Sequence, residues 1–273
     1  MLAPAAWRAH LLAKGTRMQK LFDAHFHIID PAYTLAGNNG FTPDWYTVQD
    51  YRAELAPMDL ELVGGAVVSG SFQAWDQSYF EGALGKLGKG FVGVTQLDPA
   101  TSDAELSRLD ALGIKAIRFN LYRGLSATPA EIESLARRVW DACGWKCELY
   151  LDAAKIDDEL DALIRRLPAV SIDHLGMSRL DDDALMRGYV AAGVPVRVTG
   201  FGRVEHTREQ VAELVAALYQ ENPRALLFGT DLPATRARYR FSMDDVALVK
   251  AALGDEAAQD VLWKNGMRWY LGE

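Results

Sequence analysis

Two histidines, His25 and His27, stand two residues apart inside the apolar run Leu21-Phe22-Asp23-Ala24-His25-Phe26-His27-Ile28-Ile29. Strand side chains alternate faces, so on a strand both imidazoles point one way and Phe22, Ala24, Phe26 and Ile28 point the other. Histidine is the commonest metal ligand and the side chain that titrates nearest neutrality, so such a pair suits either a metal or proton transfer. Two hydrogen-bonded core histidines are the plainer reading. Two of the chain's five histidines on one face, with Asp23 one step behind, favour chemistry.

Further polar residues close later apolar runs. They are Arg118 and Asn120 with Arg123 just beyond, Tyr150 and Asp152, His174, Thr199 leading through Gly200-Phe201-Gly202 to Arg203, and Asp231 ahead of Leu232-Pro233. A carboxylate beside imidazoles can take a proton from water, and guanidinium groups hold carboxylates in paired hydrogen bonds. Each residue alone has a structural alternative. Asp231 could cap a turn, Arg118 could pair with Glu148, Tyr150 could fill a core, and His174 could support a neighbour beside Asp173.

The elements that must position them recur regularly. Strand-like runs occupy Leu21–Ile28, Leu62–Ser69, Phe91–Leu97, Ile114–Asn120, Lys146–Asp152, Ala169–Leu175, Val194–Thr199 and Ala225–Asp231. Helix-period stretches alternate with them, at Thr47–Met58, Gln77–Leu87, Ser102–Leu112, Thr128–Ala142, Ile156–Leu167, Asp181–Ala192, Glu205–Gln220 and Ser242–Leu253. Thr128-Pro129-Ala130-Glu131 is a capped helix start, and Gly113 and Gly193 are helix terminators. Eight such units predict an α/β fold, a single (β/α)8 TIM barrel over residues 21–273, with an extra C-terminal helix over Glu256–Leu271. Catalytic groups of that fold sit at the carboxyl ends of the strands, where the polar residues above converge. The irregular stretch Asp30–Tyr46, with Gly37-Asn38-Asn39-Gly40, would cover that end. Gly85-Lys86-Leu87-Gly88-Lys89-Gly90 lacks the phosphate-loop spacing and reads as a turn into the third strand.

Totals narrow the class. The chain has 273 residues, 49% of them hydrophobic, and a formal net charge of −8. That charge opposes nucleic acid or an anionic membrane as a general partner, so a small anionic substrate needs a local basic pocket. No apolar run reaches membrane length. Cys143 and Cys147 are too few for a disulfide framework and read as reduced thiols of a cytoplasmic protein, the residues between them turning a helix into a strand. Residues 1–20 carry four basic side chains and no acid. They read as an N-terminal extension, helical or frayed, or as a start upstream of Met18.

Taken together, Asp23-Ala24-His25-Phe26-His27, Ile117-Arg118-Phe119-Asn120, Ile172-Asp173-His174-Leu175-Gly176, Val198-Thr199-Gly200-Phe201-Gly202-Arg203 and Phe228-Gly229-Thr230-Asp231-Leu232-Pro233 resemble the amidohydrolase superfamily. They are similar to its TIM-barrel metal-dependent hydrolase branch, which includes 2-pyrone-4,6-dicarboxylate lactonase. The resemblance spans essentially the whole chain from Leu21. It implies that Asp231 is the general base, that His25, His27 and His174 surround the substrate carbonyl or a divalent metal, and that Arg118, Arg123 and Arg203 hold substrate carboxylates. With a metal, Zn²⁺ or Mn²⁺, the ligands would be His25, His27, His174 and Asp231; the lactonase of this branch implies equally that none is needed. The chain departs from the pattern at Tyr150, where many members have histidine, and at Met177, where an arginine often stands and Arg179 follows. The expected activity is a hydrolase opening a lactone or similar cyclic ester or amide of a carboxylate-bearing substrate, with Tyr150 as proton donor and Asn120 and Thr199 beside the arginines. The alternatives are a metal-dependent decarboxylase on the same scaffold and an inactive metabolite-binding barrel. The sequence leaves the oligomeric state open.

Overall fold

The computed structural model describes residues 18–38, 40–123 and 127–273. Among them eight strands form one parallel sheet in chain order: β1 (Gln19–Phe26), β2 (Leu60–Val68), β3 (Phe91–Thr95), β4 (Ile114–Asn120), β5 (Lys146–Tyr150), β6 (Val170–Ile172), β7 (Val196–Val198) and β8 (Leu226–Phe228). Helices α1 (Val48–Leu55), α2 (Tyr79–Leu87), α3 (Asp103–Leu112), α4 (Pro129–Cys143), α5 (Asp158–Arg166), α6 (Ala184–Ala191), α7 (Arg208–Glu221) and α8 (Met243–Leu253) follow the strands in turn. The chain is therefore a single (β/α)8 barrel. Most of the expected extension, residues 1–17, and Asn39 of the glycine-asparagine loop lie outside the described residues, while Gln19 and Lys20 already belong to β1.

Local chemistry explains the boundaries. Thr128 accepts from the Glu131 N–H while the Glu131 carboxylate accepts from the Thr128 N–H, a reciprocal cap that starts α4, and Gly144 ends it at a φ of 68°. The last three strands are shorter than their apolar runs because His174, Leu175, Gly200 and Asp231 adopt positive φ and leave the ladder. The final segment is also broken. Helix α9 (Asp255–Gln259) passes through a π turn at Asp260–Lys264 into α10 (Asn265–Leu271). Gly266 lies against the Phe22 ring, so even a methyl group there would force the segment away.

The larger core fills the layer between sheet and helices. A smaller cluster, Phe22, Ala24, Ala66, Val68, Val92, Val94, Ala116, Leu227 and Tyr270, fills the lower lumen, packed by Trp263, Met267 and Trp269 of the C-terminal segment. Phe22 and Ala24 thus face inward, whereas Phe26 and Ile28 pack outward. The strict alternation expected for β1 fails because its register with β2 is irregular between Asp23 and Phe26. That irregularity puts His25 and His27 on the lumen side together with Ala24.

The seam between β8 and β1 is closed by the residues just after β8. The Asp231 N–H donates to the His25 carbonyl at 2.8 Å and the His27 N–H donates to the Leu232 carbonyl at 2.7 Å. Asp23 accepts from the Thr230 N–H at 2.8 Å, the Thr230 hydroxyl at 2.6 Å and the Tyr51 hydroxyl at 3.0 Å. Gly229 abuts the His25 backbone, where a Cβ would come within 2.7 Å of the His25 nitrogen. Cys143 and Cys147 are free thiols on either side of the α4–β5 turn. Among the described residues, no helix is long and apolar enough to cross a membrane.

Candidate active site

The carboxyl ends of β1, β6 and β8 bring three histidines and one aspartate together. His25 stands edge-on to His27 at a centroid distance of 5.1 Å and to His174 at 4.7 Å. Nε2 of His25 lies 3.8 Å, and Nε2 of His27 3.7 Å, from the same Asp231 oxygen. His174 has a φ of 49° and Asp231 a φ of 57°. Left-handed backbone costs a non-glycine residue about 1–2 kcal/mol, so both are held there by their surroundings. The seam bonds supply that hold for Asp231, and the turn after β6 for His174.

Protonation follows from the contacts. Nδ1 of His27 lies 2.7 Å from the Val68 carbonyl, a distance that puts a proton on Nδ1 and turns Nε2 toward Asp231. Burial pushes His25 well below the ordinary histidine value, helped by the charges of His174 and Arg118. Burial also pushes His174 down, to about 3, against the pull of Asp231 and Asp173. Both imidazoles are neutral at pH 7. Burial alone would raise Asp231, but the Arg203 guanidinium in contact with its second oxygen, with His27 and His174, holds it far below the usual carboxylate range.

Several buried polar atoms here lack a hydrogen-bond partner among the described residues: both nitrogens of His25, Nδ1 of His174, Oδ1 of Asp231, Oγ1 of Thr199 and the Tyr150 hydroxyl. Nitrogens of His25 and His174 and an oxygen of Asp231 lie within 4.8 Å of one another. Neutral imidazoles and an ionised carboxylate, aimed at one point and unsatisfied, fit a single divalent cation. His27 is outside that trio but borders it through Asp231.

Above this group is a cavity of about 390 Å³ of empty space, lined by His27, Phe41, Gly70, Ser71, Phe72, Arg118, Asn120, Arg123, Tyr150, His174, Arg203, Thr235 and Arg236. His25 and Asp231 are buried beyond its lining, Asp231 covered by Arg203. The Tyr150 ring sits edge-on to His174 at 5.0 Å and under the Arg118 guanidinium at 4.8 Å, and burial raises its hydroxyl above the ordinary tyrosine value. Asn120 accepts from the Arg123 N–H at 2.8 Å. Thr199 faces a separate small pocket, shared with Gly229 and Asp231. Asp152 instead caps the turn Ala153–Lys155 and pairs with Lys155 at 3.2 Å, while Arg179 is exposed.

Arg118 is paired, but not with Glu148. Its Nε donates to Asp173 at 2.8 Å, and Arg197 donates to the other Asp173 oxygen at 3.1 Å. Arg197, wholly buried, also contacts Glu148 and the Tyr270 hydroxyl, and Tyr270 donates to Glu148. A charged column thus runs up the lumen from the C-terminal helix to Asp173, whose carboxylate lies 3.7 Å from Nδ1 of His25. Sequence reading passed over Arg197, although a lone cation inside the run Val196–Val198 was its signal. It also passed over Ser71 and Phe72, in a single 3-10 turn, and Thr235 and Arg236, in a loop, none of which carries periodicity.

Comparison with known proteins agrees with this architecture. The chain matches the amidohydrolase family over residues 22–271. It is 25% identical to a 2-pyrone-4,6-dicarboxylate hydrolase of Comamonas testosteroni, over 92% of this chain and 90% of that protein. Its fold is similar to a putative hydrolase of that kind from Pseudomonas putida, with TM-score 0.78, 22% identity, and coverage of 94% of this chain and 99% of the other. It is also similar to a probable one from Acinetobacter baumannii with citric acid bound, with TM-score 0.76, 21% identity, and coverage of 92% and 98%.

Proposed function

The chain belongs to the amidohydrolase family and is a hydrolase, and from that premise we propose that it opens the lactone ring of a small, carboxylate-bearing substrate with water activated by Asp231. The observation that carries this reading is the meeting of an ionised, buried Asp231 with three imidazoles directly under an arginine-rich cavity. The curated relative from Comamonas testosteroni acts on a pyrone dicarboxylate, which supports the substrate class.

The resting arrangement suggests how the site engages. Arg203 covers Asp231 and suppresses its basicity. A substrate carboxylate entering the cavity competes for that guanidinium, and as Arg203 turns toward it Asp231 becomes both accessible and more basic. Asp231 then takes a proton from water, and the hydroxyl adds to the ring carbonyl. Neutral His174 lines the cavity beside His27 and polarises that carbonyl by donating a hydrogen bond, as a neutral imidazole does toward a developing oxyanion. The ring C–O bond breaks, and the Tyr150 hydroxyl, neutral and unpartnered, protonates the leaving oxygen. A divalent cation held by His25, His174 and Asp231, with His27 beside it, would supply Lewis-acid polarisation at the same place.

The test is turnover of a panel of dicarboxylate lactones by the native chain and by Asp231→Asn. Asparagine tolerates left-handed backbone, so the fold survives the change. Turnover is expected to fall by about 10²–10⁴-fold, the usual worth of a general base, while substrate still binds. Undiminished turnover in Asp231→Asn, or no hydrolysis of any lactone by the native chain, overturns the reading.

A further inference from the structure

The cavity holds more positive charge than its own acids can balance. Of the four arginines lining it, Arg118 is paired with Asp173 and Arg203 with Asp231. Arg123 and Arg236 have no carboxylate within ion-pair distance among the described residues. The residues outside the description, 1–17, 39 and 124–126, contain no aspartate or glutamate to supply one. Two guanidinium charges therefore remain without an acid, both facing the same space.

These two arginines are held in place from the β1–α1 loop. Asn38 donates from its side chain to the Arg123 carbonyl at 3.0 Å, and its own carbonyl accepts from Arg236 at 2.8 Å. The Arg236 guanidinium lies over the Phe41 ring, 4.0 Å from its centroid, and its backbone has a φ of 61°. A long side chain in a costly backbone conformation, stacked and tethered rather than free in solvent, is preorganised. Burial and then the repulsion of Arg123 and Arg203 lower its proton affinity, so it gains from any anion that enters.

We propose that Arg236, with Arg123, forms a second anion subsite at the outer end of the cavity, and that Arg236 is the residue that makes the enzyme prefer substrates with two anionic groups over those with one. This deepens the lactone reading by naming what the second pole of the substrate meets. Asn38 and Phe41 act as positioning residues that fix the distance between the two poles.

Binding separates this inference from the catalytic one. Isophthalate and benzoate serve as matched two-charge and one-charge ring probes, titrated calorimetrically into the native chain, Arg236→Gln and Arg236→Lys. The native chain is expected to bind isophthalate about tenfold or more tightly than benzoate, the worth of one charge-assisted hydrogen bond. Arg236→Gln should weaken isophthalate more than benzoate and so lose that preference, and Arg236→Lys should keep part of it. Equal weakening of both probes, an unchanged preference in Arg236→Gln, or no preference in the native chain overturns the proposal. Because no turnover is read, a chain that hydrolyses no lactone can still show the two-charge preference.

Discussion

At the scale of single residues, the decisive contact is Arg203 on Asp231. It holds that carboxylate ionised in the resting site, and the proposed steps run through Asp231, His174 and Tyr150 without calling on an ion. Turnover is therefore expected to survive exhaustive chelation to within about twofold, far short of the several kcal/mol that loss of a catalytic metal costs. Elemental analysis of the same samples accompanies the rate measurement. A collapse in rate restored by Zn²⁺ or Mn²⁺ would instead make His25, His174 and Asp231 ligands. The donor residues were legible in the chain because types and spacing mark them: a His-x-His pair, Asp-His at one strand end, Asp at another. Their partners were not. Nothing local announces that Arg118 pairs with Asp173 rather than Glu148, or that Arg236 and Asn38 meet across nearly two hundred positions of sequence.

At the scale of elements, the barrel was readable from the alternation of apolar runs with capped helices, because each strand needs a covering helix and each helix carries its own start and stop chemistry. Strand ends were not readable. Periodicity extends β6 and β8 through His174 and Asp231, whereas positive φ ends both strands earlier and aims those side chains by a turn. The C-terminal segment was legible as a helix but not as a contributor to the lumen. Tyr270 of α10 stacks on Phe22 with centroids 5.7 Å apart and gives its hydroxyl to the Arg197–Glu148 pair. Tyr270→Phe keeps the stack and strips the hydroxyl from two buried charges. The expected cost is about 1.5–3 kcal/mol in urea denaturation, as for a hydrogen bond to a charged group. A loss below about 0.5 kcal/mol, within the range of an ordinary surface change, would mean that the ion pair is satisfied without it.

At the scale of the whole molecule, a chain of net charge −8 folds around a mouth lined by four arginines, so small anions meet local attraction at that opening. The buried histidines also set the response to acid. His174 has a folded value of about 3 against 6.5 when unfolded. The unfolded chain therefore binds more protons between those limits, and stability falls as pH drops below 6.5, by about 4–5 kcal/mol for this residue at the limit. His25 acts in the same direction. Asp23, raised by burial to about 6, opposes them, gaining about 3 kcal/mol as pH falls from 6 to 3.8. Glu148, raised by burial to about 7, opposes them as well. The share of His174 is read by difference: from pH 6 to 5 the stability of His174→Gln, from urea denaturation, is expected to drop less on acidification than that of the native chain, the two slopes differing by about one proton. An identical slope in that variant would show that His174 accepts protons in the fold as readily as outside it.

The β8–β1 seam has a consequence for how this enzyme can fail. The amide of Asp231, the carbonyl of His25 and the amide of His27 zip the first strand to the last, while their own side chains make up the reactive cluster. Scaffold and chemistry share the same atoms at that joint. Loosening the cylinder there disperses the cluster at once, so heat or denaturant has no route to an intact but idle barrel through that edge.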